Sequence, residues 1–226
     1  MKALSPSDLQ FVLARVPKDV RKLMQDHGLY LGGGFIRETI AGGVPNDIDL
    51  FGPSASVLEL AAKVLATSRG GKNFATQNAV TVLAPPRVPV QFIKRWLYDD
   101  GHKLVESFDF TVCQAAIWFA SGWQSLIADE FYADLAARRL VYTAPKREEA
   151  AGGSMMRVRK FLARGYSIQA TSLAGVIARV AGGVRDFQQL DEGQRAFVIA
   201  GLLHEVDPLL VVDGLEVANE HDEAQP

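Results

Sequence analysis

The chain has 226 residues, 48% of them hydrophobic, with 24 Lys+Arg against 26 Asp+Glu and a formal net charge of -2. That length suffices for one large domain, or for a catalytic domain with a smaller helical one, and the charge excludes a polycation that would coat nucleic acid by charge alone. A single cysteine, Cys113, excludes an intramolecular disulfide and a cysteine-rich zinc site and fits a reducing cytoplasm.

The N-terminal MKALSPSDLQ lacks the apolar core of a signal peptide, and no stretch approaches the ~18 uninterrupted apolar residues of a membrane span, so a cytoplasmic protein without a membrane partner is expected. Ser5-Pro6-Ser7-Asp8 predicts a helix start, with Ser5 as the cap and Asp8 near the positive end. Leu9, Val12, Leu13 and Val16 give the first helix its apolar face. Pro17 divides it from a second helix, carrying Val20, Leu23 and Met24, that stops at Gly28. Leu29-Tyr30-Leu31 reads as a short buried strand entering Gly32-Gly33-Gly34, and Phe35 to Ala41 as a brief helix. Asp47-Ile48-Asp49-Leu50-Phe51 alternates polar and apolar residues, which on a strand sends both carboxylates to one face and Ile48 to the other.

Ser54 to Ser68 predicts an amphipathic helix capped by Ser54, broken at Arg69-Gly70-Gly71-Lys72. Two strands follow, Ala79 to Leu83 and Val88 to Ile93, with Pro85-Pro86 at the turn. Phe110 to Phe119 is compatible with a strand or a buried helix, and Phe131 to Arg139 with a helix. Beyond a polar, glycine-bearing stretch from Thr143 to Gly153 lie three helical patterns, Met155 to Arg164, Thr171 to Ala181 and Gln194 to His204. The expected architecture is α+β. A catalytic domain over 1–145, with a small mixed β-sheet flanked by helices, precedes a helical domain over 146–215 that lines one wall of a cleft and a mobile acidic tail over 216–226.

The stretch that carries chemistry is LYLGGGFIRETIAGGVPNDIDLFG, residues 29 to 52. Adjacent glycines at a helix start let the backbone approach a phosphate, and the helix N-terminus adds partial positive charge. Two aspartates two apart on a strand hold hard cations through oxygen, and Arg37 is placed to answer either phosphate or its neighbour Glu38. On their own the glycines would be a plain tight turn and the aspartates a solvated strand edge. The fixed spacing of the two favours a site.

Gly33-Gly34-Phe35-Ile36-Arg37-Glu38-Thr39-Ile40-Ala41-Gly42, followed after four residues by Asp47-Ile48-Asp49-Leu50, resembles the signature of the polymerase-beta-type nucleotidyltransferase superfamily. It is most similar to the head domain of the bacterial poly(A) polymerase and CCA-adding tRNA nucleotidyltransferase family, whose pattern runs GGxVRDxLLGxxxxDIDL. Asp109-Phe110-Thr111-Val112 resembles that family's RRDFTIN element. Met155-Met156-Arg157-Val158-Arg159-Lys160-Phe161 resembles its RxLRAxRF helix, so the likeness spans roughly residues 20 to 170.

The resemblance implies in-line attack of an acceptor hydroxyl on the alpha phosphorus of an NTP, with pyrophosphate leaving. It makes Asp47 and Asp49 the catalytic metal ligands for two Mg2+ ions, which Mn2+ can replace. Gly33, Gly34, Arg37, Asp109, Arg157 and Lys160 become nucleotide-binding residues, with Asp109 near the ribose. The expected acceptor is an RNA 3' end or another hydroxyl-bearing molecule, with tRNA not singled out.

Three departures qualify the carry-over. Ser107 and Phe108 stand where the family has two arginines, and Ala150, Ala151 and Ser154 where an EDxxR element reads the incoming base. Gln91 occupies the strand position where a further carboxylate would be sought. CCA addition itself is therefore not expected, and a degenerate relative that binds nucleotide or a partner protein without transfer is the alternative. Trp96, Trp118 and Trp123 read first as packing residues, and Cys113 as a small buried apolar one.

Overall fold

The structure, a computed structural model, describes residues 1–145, 153–182 and 189–198. Helix α1 (Pro6–Arg15) starts as expected, with the Ser5 hydroxyl accepting from the Asp8 amide at 3.1 Å. Helix α2 (Lys18–His27) ends at Gly28. Strand β1 (Tyr30–Gly32) then leads through Gly33 into α3 (Gly34–Ile40), and β2 (Ile48–Phe51) follows. Next come α4 (Ala55–Arg69), capped by Ser54, and strands β3 (Lys72–Ala75), β4 (Ala79–Leu83) and β5 (Val90–Ile93).

Helix α5 (Gly101–Ser107) is an addition to the predicted elements. Its seven residues are too few to show a period, and its start is set by the Asp100 carboxylate, which accepts from the amides of His102 and Lys103. The ambiguous apolar run resolves into a 3-10 turn, Thr111–Cys113, and strand β6 (Ala115–Phe119). Strand β7 (Trp123–Ile127), helix α6 (Phe131–Ala136) and strand β8 (Arg139–Leu140) complete this half. Helix α7 (Gly153–Ala163), strand β9 (Ser167–Ile168) and helix α8 (Ala170–Gly182) follow. The third helical pattern is helical over 192–198, and the expected 145/146 boundary and the 216–226 tail adjoin or lie outside the described residues.

Seven strands form one mixed sheet in the order β3-β4-β5-β2-β1-β6-β7. Strands β2 and β5 run parallel, pairing Ile48 with Val90, Asp49 with Gln91 and Leu50 with Phe92, while the other neighbours in this sheet are antiparallel. Alternation along β2 decides which face does what. Ile48 and Leu50 enter the main core with Val90, Phe92, Leu31 and Ile117, roofed by α1, α2 and α4. Phe51, Ile93 and Ala116 belong to the opposite face, packed with Leu104 and Val105 of α5. That second face is the one to which Asp49 points.

The helical segment shares a core with the N-terminal half. Phe110, Val112 and Leu140 pack with Val158 and Phe161 of α7 and Val176 of α8, and β8 pairs in parallel with β9. Phe108 packs against both this cluster and the one under α5, so the turn before the 3-10 segment joins the two.

Candidate active-site cleft

The turn from β1 into α3 demands glycine. Gly33 has φ +64°, a left-handed conformation that costs an L side chain, and a Cβ there would come within 3.3 Å of the Phe108 ring. At Gly32 a Cβ would lie 2.9 Å from the Phe51 ring, so two aromatic rings close directly on the bare backbone. The Gly33 amide donates to the Ala115 carbonyl at 2.9 Å. What Gly33 lends the cleft is therefore an unobstructed main chain, and its own N–H is spent on the sheet.

Gly33, Gly34, Asp47 and Asp49 line one cleft of about 180 Å³. Arg37, Asp109, Arg157 and Lys160 line the same cleft, so all the residues singled out in the sequence converge on a single concavity. Asp47 immediately precedes β2 and Asp49 lies within it, two positions apart and on one face. Gln91 stands beside Asp49 in register on β5 and is buried, so the sheet offers a neutral amide next to the acids. Among the described residues no three His, Cys, Asp or Glu side chains gather as a metal-binding group.

Arg37 is 5% exposed and is a brace as well as part of the lining. Its Nε and Nη2 both donate to Glu38 Oε1, at 3.0 and 2.9 Å. Its Nη1 lies 3.3 Å from Cys113 Sγ, and its guanidinium sits 4.7 Å from the Phe161 ring centre. Burial works against the charge of Arg37, yet Cys113 and Glu38 outweigh it and the pKa is held above the ordinary value. Burial also pushes the Cys113 thiol up to about 11, so at neutral pH it carries no charge and Glu38 is the partner that counts. One arginine thus ties α3, the 3-10 turn and α7 together.

Asp109, 1% exposed, accepts from Arg157 Nε at 2.5 Å, joining the N-terminal half to α7. Its surroundings are fixed by backbone and side-chain bonds. The Thr143 amide donates to the Asp109 carbonyl, and the Thr111 hydroxyl donates to Asp134, which is fully buried and also receives two hydrogen bonds from Arg139. Arg157, Lys160 and Arg164 follow at spacings of three and four, which places three cations along one side of α7 and the turn beyond it, and all three line the cleft.

Several lining residues were not singled out for the site. Arg164 was legible from that spacing. Trp96 lies in the loop after β5 and Phe108 just before Asp109, and no periodicity marks either as a cleft residue. The packing role expected of Trp96 is thus combined with a place on the cleft wall. Glu38, half-buried, acts through its expected partner Arg37, while Asp134 acts through Thr111 and Arg139, and nothing in the sequence alone distinguishes such a buried bracing acid from a solvated one.

With this geometry, the sequence profile of the Gabija anti-defense 2 family matches residues 6–138, more than half of the chain and all of the sheet. The chain belongs to the Gabija anti-defense 2 family. No curated protein matches the sequence.

Among solved structures, this Gabija anti-defense 2 protein is similar to the Thermotoga maritima CCA-adding enzyme in complex with tRNA. The match has TM-score 0.56 and 18% identity and covers 92% of this chain and 53% of that one. A CCA-adding enzyme complexed with ATP matches with TM-score 0.58 and 19% identity over 92% and 52%. A tRNA nucleotidyltransferase with a primer tRNA and an incoming ATP analogue matches with TM-score 0.54 and 15% identity over 88% and 64%. The Gabija anti-defense 2 chain thus has the polymerase-beta-type nucleotidyltransferase fold and spans between about half and two thirds of the length of these structures. No helix among the described residues is long and apolar enough to cross a membrane.

Proposed function

We propose that this protein is a metal-dependent nucleotidyltransferase that moves a nucleoside monophosphate from an NTP to a hydroxyl acceptor. The observation that carries the reading is the convergence of Asp47 and Asp49 with the Gly33–Gly34 turn and the basic side of α7 in one cleft. The donor set suits hard divalent cations, since two carboxylates on one strand face supply oxygen ligands at a single edge of the site. Bound there, Mg2+ or Mn2+ neutralises the charge of the reacting phosphates and of the attacking oxygen.

The remaining work belongs to side chains of this chain. Gly33 and Gly34 let the triphosphate lie close to the main chain, while Arg157, Lys160 and Arg164 bring positive charge to the same cleft. The acceptor oxygen forms its bond to the alpha phosphorus as the bond to pyrophosphate breaks, and the hydroxyl proton leaves to solvent or to a neighbouring carboxylate. Asp109, held by Arg157, takes the ribose-side role that the resemblance implies. Ser154 stands fully buried at the position of the base-reading arginine, so the chain offers no counterpart to that contact and selection among bases is expected to be weak.

RNA ends and protein hydroxyls are both candidate acceptors, and the family description points the search toward components of Gabija defence. The test is a radiolabelled-NTP transfer assay over RNA, protein and small-molecule acceptors with Mg2+. Label transfer that disappears in the Asp47→Ala/Asp49→Ala double variant is the expected result, and equal labelling by both proteins refutes the assignment. A second reading, nucleotide binding without transfer, is favoured by Gln91 standing beside Asp49. Calorimetric NTP binding with no labelled product from any acceptor selects that reading.

A further inference from the structure

A second groove, of about 420 Å³, opens between the C-terminal end of α3, helix α6 and the turn after α7. It is larger than the catalytic cleft and within the volume range that accepts small organic ligands. Two exposed arginines, Arg138 and Arg164, and two half-buried tyrosines, Tyr132 and Tyr166, line it together with apolar side chains such as Ile40 and Leu135. The carboxylate in its wall is Glu38, whose Oε1 already accepts two hydrogen bonds from Arg37 and lies 3.7 Å from Arg164. With Arg37 set against that acid, the charge facing the groove is positive.

The backbone that carries Arg138 and the Tyr132 hydroxyl are held in place. Arg138 has φ +48°, a left-handed conformation that glycine adopts at less cost than arginine. The chain keeps it there by bonding its amide to the Leu135 carbonyl and its carbonyl to the Ser167 amide. Gly165, at φ +81°, leaves room beside the Arg138 guanidinium, since a Cβ there would lie 3.3 Å from Nη1. The Tyr132 hydroxyl donates to Asp8 and accepts from the Ser5 amide, and the Tyr166 ring sits edge-on to Phe161 at 4.9 Å. Aromatic rings and two guanidinium groups lining one groove are the chemistry that recognises a phosphate carried on a planar heterocycle.

We propose that this groove is a second nucleotide-binding site, with the phosphate taken by Arg138 and Arg164 and the base lying against Tyr132 or Tyr166. Arg164 also lines the catalytic cleft, so the two sites share one cation. The proposal goes beyond nucleotidyl transfer and does not require it. The nucleotide is either free or the end residue of a nucleic-acid strand, and the chemistry of recognition is the same.

The test is photolabelling of the full chain with 8-azidoadenosine 5'-monophosphate and, separately, with a five-nucleotide RNA carrying one azido-adenine, followed by peptide mapping. Label on the peptides bearing Tyr132 or Tyr166 is expected, at least tenfold weaker in Arg138→Gly and retained in Asp47→Ala/Asp49→Ala. Arg138→Gly suits the left-handed backbone, so its melting temperature should not fall and a lost label is not lost folding. Labelling by the mononucleotide identifies a free ligand, and labelling by the RNA alone identifies a strand end. Label confined to peptides of the catalytic cleft, or groove label indifferent to Arg138→Gly, overturns the proposal. Because the mapping needs no turnover, a failed transfer assay leaves its outcome readable.

Discussion

Removing the Glu38 carboxylate tests whether the Arg37 brace holds the N-terminal half to α7. In Glu38→Ala the Arg37 guanidinium keeps Cys113 and the Phe161 ring but loses both of its charge-assisted hydrogen bonds. Breaking a fully buried pair by deleting one partner costs about 3–5 kcal/mol. Here Glu38 is 27% exposed and water can reach the vacated side, so the expected loss is reduced to about 2–3 kcal/mol. For a chain of this size that corresponds to a fall of roughly 4–12 °C in melting temperature. Urea unfolding gives the free energy directly, and Glu38→Gln, which keeps the acceptor oxygen without its charge, should fall between the two. In the double variant Arg37→Met/Glu38→Ala the losses should be less than additive, since each group's principal partner is the other. A Glu38→Ala protein within about 0.5 kcal/mol of the parent refutes the brace.

Gly33→Ala should destabilise the chain by about 1–3 kcal/mol through its left-handed backbone and the approach to Phe108, and NTP affinity measured by calorimetry should drop with it. Gln91→Glu should tighten Mn2+ binding, read by paramagnetic resonance of the free ion, by about tenfold or more, because it adds a charged oxygen ligand beside Asp49; unchanged affinity would place the metals away from β5. Cys113, whose folded pKa of about 11 lies above the ordinary thiol value near 8.5, favours the protonated folded state. Its contribution is complete below about pH 8.5 and is lost as pH rises toward 11, so stability should decline over that window in the parent and less in Cys113→Ala. Asp19 shows the opposite sign: the hydrogen bond from Arg69 depresses its pKa, so its contribution is present above about pH 4 and lost on acidification, and Asp19→Asn should flatten the acid limb of a stability–pH curve.

What could be read from the sequence was what rests on local pattern. The alternation over Asp47–Phe51 and the glycine turn before α3 each depend on neighbours within a few residues, and the structure keeps both, with Ile48 and Leu50 in the core and Asp49 on the other face. Strand β3 was missed because all four of its residues are exposed and its partner is β4 alone, so it bears no buried alternation. Helix α5 was missed because a cap and seven residues do not make a period. The site followed the same division. The acids and glycines that line the candidate cleft were singled out by spacing and its basic helix by the resemblance. Asp134 and Trp96 are defined by what folds against them, including Thr111 on Asp134, and spacing holds no record of that, whereas Glu38 is braced by its sequence neighbour Arg37, as the sequence allowed.

The two departures at Ser107–Phe108 and at Ser154 have one structural consequence when taken together. Where a family pattern of two arginines would place cations ahead of Asp109, Phe108 instead lays its ring over the Gly32–Gly33 backbone and packs edge-on to Phe51 at 6.0 Å. That part of the lining is apolar, and the cations among the described lining residues are Arg37 on α3 and Arg157, Lys160 and Arg164 on α7 and the turn after it. The same α7 is anchored by Asp109 through Arg157 and by Arg37 through Phe161. The basic part of the cleft lining and the junction between the two halves therefore share one helix. A substitution that loosens the junction should raise the NTP concentration needed for half-saturation before it alters anything at Asp47 and Asp49.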